Sequence, residues 1–184
     1  MTAAVGLFGK LPARGDFVRA GLPGSFVAPW DAWLQRVLAG SRERLGAAWL
    51  PAWLEAPVWR FALAPGLCGP EAVLGLLLPS VDRVGRYFPL TLAAVAPGGS
   101  AAAGDAWLDA AESAGRAALE QDAGPDQVAA RLPPPEGATP AAGGLWWTEG
   151  GPRVAPARHA LAGLPDDATF TAMLGDPIPA EPAP

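Results

Sequence analysis

Side chains able to bind or act on another molecule are concentrated in two stretches of the first half of the chain. One is Pro79-Ser80-Val81-Asp82-Arg83-Val84-Gly85-Arg86-Tyr87-Phe88-Pro89, which sets one acid and two arginines within five residues. The other is Gly9-Lys10-Leu11-Pro12-Ala13-Arg14-Gly15-Asp16, followed by Phe17-Val18-Arg19. Arginine offers planar, bidentate donors suited to a carboxylate or a phosphate, and Asp16 and Asp82 can hold such arginines in place through salt bridges. Two readings follow. Arg14, Asp16, Asp82, Arg83 and Arg86 form a polar surface that docks an acidic or phosphorylated protein, or the same charges form an internal ion-pair network that ties two loops together. Arg60, in a strand-like segment, joins the same group of charges.

Enzyme chemistry has less to work with. A hydrolase triad needs a nucleophile, a base and an orienting acid; His159 is the single histidine, and Ser80 lies in no Gly-x-Ser-x-Gly elbow. A hydrolase using Ser80 or His159 is the alternative activity. One histidine, one cysteine and scattered acids supply no metal-ligand spacing, so no metal or cofactor is expected. Gly9-Lys10 suggests a phosphate loop, but Ala4 and Leu11 stand where the motif needs a glycine and a hydroxyl residue. Cys68 is the single cysteine, which excludes an internal disulfide, and nothing near it in sequence lowers its pKa.

The elements that must position these loops follow from hydropathy patterning. Ala3 to Phe8 reads as a strand entering the first charged loop. Pro29 suits the first turn of a helix, in which Trp30, Trp33, Leu34, Val37, Leu38, Ser41 and Leu45 recur at helical spacing. Trp49 to Leu54 reads as a second, short helix. Val58 to Leu63, Ala72 to Leu78 and Leu90 to Val95 read as three strands joined by short loops, an antiparallel meander. The second charged stretch is therefore the connection between two core strands. Ala106 to Gln121 reads as an alanine-rich helix with a shorter one over 125–132, and Pro133 to Gly144 as an exposed, mobile loop. Leu145 to Thr148 is a last strand, and Asp166 or Asp167 caps a final helix through Leu174. Strand, helices, three strands, helices, strand and helix fit an α/β fold with a central mixed, partly antiparallel sheet and helices on both faces. One domain over 1–175 with a flexible proline-rich tail over 176–184 is expected.

Charge divides along the chain. Residues 1–90 carry nine Lys/Arg and six Asp/Glu, and residues 91–184 carry four and twelve, so a basic first half precedes an acidic second half. With an overall charge of −5 and no Lys/Arg run, nucleic acid is not an expected partner. The first residues lack a basic lead region, and no apolar run approaches membrane-spanning length. A cytoplasmic protein is expected.

With these stretches in order, the chain resembles the TagF (also called ImpM) family of type VI secretion accessory proteins. The resemblance is carried by residues 9–18, Trp30-Asp31-Ala32-Trp33-Leu34, Pro57-Val58-Trp59-Arg60-Phe61 and above all 79–89. Trp146-Trp147 and Gly163-Leu164-Pro165 extend it, so that it spans about residues 5–175. It implies a three-layer α/β/α sandwich and a regulatory role, restraint of type VI secretion after translation. The implied partner is the forkhead-associated scaffold protein of that system, which belongs to a threonine-phosphorylation switch. Some members of the family are fused to a PP2C-type phosphatase domain; this chain has no room for one, so a phosphatase would be a separate protein. The resemblance identifies no catalytic residue. A structural subunit of the secretion apparatus is a further alternative.

Overall fold

The computed structural model describes residues 2–175. The stretch 176–184, expected as a tail, lies outside the described residues.

The strands are β1 (Ala4–Gly9), β2 (Val18–Ala20), β3 (Trp59–Leu63), β4 (Val73–Leu78), β5 (Leu90–Val95), β6 (Gly144–Thr148) and β7 (Ala157–Leu161). They form one sheet in the order β2-β1-β5-β4-β3-β6-β7. The helices are α1 (Gly24–Leu45), α2 (Trp49–Leu54), α3 (Ala101–Glu120), α4 (Pro125–Ala130) and α5 (Asp167–Leu174), with a short 3-10 turn between α1 and α2. The class is α/β, but the sheet is not mixed: every neighbouring pair of described strands is antiparallel. Short connections make hairpins of β1-β2, β3-β4, β4-β5 and β6-β7. A parallel pair needs a long crossover that returns the chain in the same direction. Here the strands that follow the two long helical connections, β3 and β6, pair only with antiparallel neighbours.

Burial explains which strands were readable. β4 and β5 are buried along their whole length, because helices cover both faces, and so they appear as unbroken apolar runs. Val73, Leu77, Ala93 and Val95 face a core shared with α1, α2 and α5. Leu74, Leu76, Leu78, Leu90, Leu92 and Ala94 face a second core under α3 and α4. The two unanticipated strands, β2 and β7, lie at the two edges of the sheet. β7, with Arg158 and His159, is largely exposed and carries no buried residue. Such a strand leaves no period-2 pattern, and β2 alternates but is only three residues long, too short for alternation to stand out.

Three helix and loop boundaries also shift. α1 starts five residues before Pro29, which therefore sits inside the helix. Proline there removes one early hydrogen bond, and the tryptophan stripe on either side outweighs that loss. α3 starts at Ala101, capped by Ser100, whose hydroxyl accepts from the Ala103 amide at 3.3 Å. The 133–144 connection is strapped to α3: Gly137 is buried, and the Pro133 carbonyl accepts from the Trp107 indole at 3.2 Å.

The tryptophans work as pins, with the ring in a core and the indole N–H fixed to a distant segment. Trp30 donates to Thr91 Oγ1 at 2.9 Å, Trp33 to the Pro165 carbonyl at 2.8 Å, Trp53 to the Ser80 carbonyl at 3.3 Å and Trp59 to the Met173 carbonyl at 2.9 Å. The Trp30–Thr91 pair is fully buried. Trp30→Phe is expected to cost about 2–3 kcal/mol, from the lost ring volume and the orphaned hydroxyl. Adding Thr91→Val should recover part of that loss, because removing both partners is cheaper than stranding one. Urea titrations of the single and double variants measure both effects.

Candidate functional site

β1 ends at Gly9, β4 ends at Leu78 and β5 begins at Leu90, all at one rim of the sheet. Because β5 lies between β1 and β4, the two charged connections that leave them are brought together. The 79–89 connection is a tight hairpin closed by a Val81–Tyr87 bridge, with Arg83, Val84 and Gly85 exposed at its tip.

Asp82 organises both loops from inside. Its side chain is fully buried, and its two oxygens accept four donors. Oδ1 accepts from the Val84 amide at 3.0 Å and the Arg86 amide at 2.9 Å; Oδ2 accepts from Lys10 Nζ at 2.8 Å and Arg86 Nε at 2.6 Å. Burial pushes the Asp82 carboxyl up, but the bonds from Lys10 and Arg86 outweigh it and hold the pKa well below the usual carboxylate range. Further bonds stitch the loops together. Ser80 Oγ donates to the Lys10 carbonyl at 2.7 Å, the Arg83 amide to the Arg14 carbonyl at 2.8 Å, and Arg86 to the Gly15 carbonyl.

The five residues singled out from sequence thus divide by role. Asp82 belongs to the interior. Arg86 spans the boundary, with its side chain about half exposed but engaged by Asp82 and Gly15. Arg14 is partly exposed and meets Asp122 Oδ1 at 3.3 Å. Arg83 and Asp16 point outward, and among the described residues neither side chain makes a hydrogen bond or ion pair. The ion-pair network and the outward surface therefore coexist, and the network fixes the backbone that carries the surface.

Arg60 does not join them. Its guanidinium bonds Asp109 at 2.7 Å and Glu112 at 2.9 Å, both on α3, away from the two loops. Ser80 spends its hydroxyl proton on a backbone carbonyl, while His159 lies on β7 with its ring stacked 5.8 Å from Trp59. Cys68 is buried, and burial pushes its thiol up to about 12. No group of three potential metal ligands occurs among the described residues, and no described helix is long and apolar enough to cross a membrane.

Apolar residues at the rim were missed from the sequence. Among the described residues the exposed large hydrophobics are Phe17, Leu50, Leu54 and Val84. All four lie on segments that meet here. Phe17 packs edge-on against Phe88 at 4.8 Å, and α2 is joined to the hairpin through Trp49–Tyr87 and Trp53–Ser80. One signal was available for Phe17: it precedes Val18, which faces the core, so strand alternation turns Phe17 outward.

The model of the TagF N-terminal domain, type VI secretion system-associated, matches residues 6–133. The chain belongs to the TagF family. The match covers β1 to α4 and includes both charged loops; β6, which pairs with β3, and β7 complete the same sheet beyond it. No curated protein matches the chain significantly. Among solved structures, the crystal structure of PA0076 from Pseudomonas aeruginosa PAO1 is 40% identical, with a TM-score of 0.80 over 97% of this chain and 99% of that one. This TagF-family chain is thus a type VI secretion-associated protein with its charged rim inside the matched region.

Proposed function

We infer that the protein is a non-enzymatic regulator that restrains type VI secretion after translation by binding the forkhead-associated scaffold protein of that system. The observation that carries this reading is the outward display of Arg14, Arg83 and Asp16 on a backbone fixed by Asp82. Rim charges held on a rigid frame steer and select a partner. A cytoplasmic location is part of the same proposal. The two separate cores, one on each face of the sheet, support the three-layer α/β/α description. Ser80 and His159 are engaged elsewhere, as described above, which favours binding over hydrolysis.

Arg83→Glu separates docking from folding, because the Arg83 side chain has no internal partner, whereas Arg86→Glu would unseat Asp82. Captured on the immobilised scaffold protein, Arg83→Glu combined with Arg14→Glu should lose about tenfold or more in affinity. Arg83→Glu alone should melt within about 2 °C of wild type. Undiminished capture of the folded double variant would remove this surface from the docking role.

A further inference from the structure

Beside the hairpin lies a groove of about 430 Å³, lined by Lys10, Phe17, Gln35, Leu38, Arg42 and the 85–88 segment. One wall is α1, which presents Gln35, Leu38 and Arg42 along a single face. Seven residues of helix span about 10 Å, the length of about three residues of extended chain. Arg42 is held in position: its guanidinium lies 4.3 Å from the Trp49 ring and donates to the Tyr87 carbonyl at 3.1 Å. This single bond leaves most of the guanidinium's N–H donors unused. Across the groove stand Phe17, with Lys10 Nζ 4.9 Å from its ring, and Arg86.

The charge balance decides what fits. Three cations line the groove and no carboxylate does. Asp82 lies beneath and offsets one of the two cations it binds, Lys10 and Arg86. Asp31 stands one helical turn beyond Gln35, which donates to it at 3.3 Å. The lining is therefore net positive on a chain whose overall charge is −5, and Phe17, Leu38 and Tyr87 supply apolar surface beside the cations. We propose that this groove seats a short, extended, acidic segment of a partner protein, with carboxylates on Arg42 and Arg86 and an apolar side chain against Phe17. This rests on the docking reading above and adds to it the groove, its residues and the chemistry of the occupant.

Fluorescence anisotropy with two labelled peptides tests it on the full chain: Glu-Glu-Phe-Glu-Glu and its basic counterpart Lys-Lys-Phe-Lys-Lys. The acidic peptide should bind saturably, weaken as salt is raised, and lose about tenfold or more in affinity to Arg42→Glu. Because Arg42 also braces Trp49 and Tyr87, Gln35→Glu serves as a second variant. It adds negative charge to the groove from an exposed position, and it should weaken the acidic peptide too. No saturable binding of the acidic peptide, equal binding of the basic one, or unchanged affinity in folded Gln35→Glu and Arg42→Glu would overturn the proposal. Capture of the scaffold protein by wild type and both groove variants alike would overturn the groove and leave the docking reading intact. Acidic-peptide binding without any scaffold capture would do the reverse.

Discussion

An Asp82→Asn variant is expected to melt about 10 °C below wild type at pH 7. The carboxylate is buried and accepts from Lys10, from Arg86 and from two backbone amides. An amide of the same size cannot balance the charge of Lys10, which is itself only 5% exposed. Breaking a buried pair by removing one partner is costly because the other charge is stranded. Lys10→Met on top of Asp82→Asn should therefore cost much less than the two single losses added together. The pH dependence has a definite sign. The folded pKa of Asp82 lies below its unfolded value, so its stabilisation is complete above the ordinary carboxylate range near pH 4. It is lost as pH falls through that range towards the folded pKa. The gap in thermal midpoint between wild type and Asp82→Asn should thus be constant above about pH 5 and close steadily below it. A gap that is the same at pH 7 and pH 3 would show that the asparagine acts through packing instead.

Gly9→Ala is expected to destabilise by about 3–5 kcal/mol, read as a fall in the urea midpoint. Gly9 has φ of +139°, a region that side chains disfavour, and an added Cβ would lie 2.0 Å from the Pro89 carbonyl oxygen. That oxygen belongs to backbone at the base of the hairpin and cannot swing aside. Gly85→Ala is the natural comparison. It also has positive φ, +87°, but an added Cβ there meets nothing within 4 Å. Only the backbone strain should be felt, about 1 kcal/mol. The difference between the two measures how closely the first loop and the hairpin are pressed together, separately from the dihedral preference they share.

Much of this was readable from residue types. The tryptophan stripe of α1, the buried runs of β4 and β5 and the charged hairpin between them all report burial, and burial leaves a pattern in sequence. The meeting of the two charged loops was legible only as one of two readings, because it depends on β1 lying beside β5, which the structure shows. What escaped has common causes. β2 is an edge strand of only three residues, and β7 is an edge strand with little apolar surface to hide. Pro29 appeared to start a helix because a lone proline suits a first turn, and only tertiary packing shows that the chain tolerates it further in. The direction of each arginine was not legible either. Arg60, Arg83 and Arg86 have the same chemistry, yet one is turned to α3, one to solvent and one back to Asp82. Local spacing does not encode that Arg60 meets Asp109 and Glu112, which lie 49 and 52 positions further along the chain. Phe17 and Val84 were passed over because exposed apolar residues look like core until the neighbours are known, and Arg42 because it lies on a helix 45 residues before the Tyr87 carbonyl it meets.

The pairing of β1 with β5 also sets an order of events during synthesis. β1 ends at Gly9 and its long-range partner begins at Leu90. At about 5–20 residues per second, about 4–16 s separate the emergence of the two from a ribosome. Throughout that interval one side of β1 has only the three-residue β2 available, and its other side waits with unpaired amides and carbonyls. An open strand edge is a template for the wrong partner. β1 is short and carries Gly6 and Gly9, which weakens it as such a template. The glycine that later lets two loops close against each other thus also helps keep the nascent chain from pairing too soon.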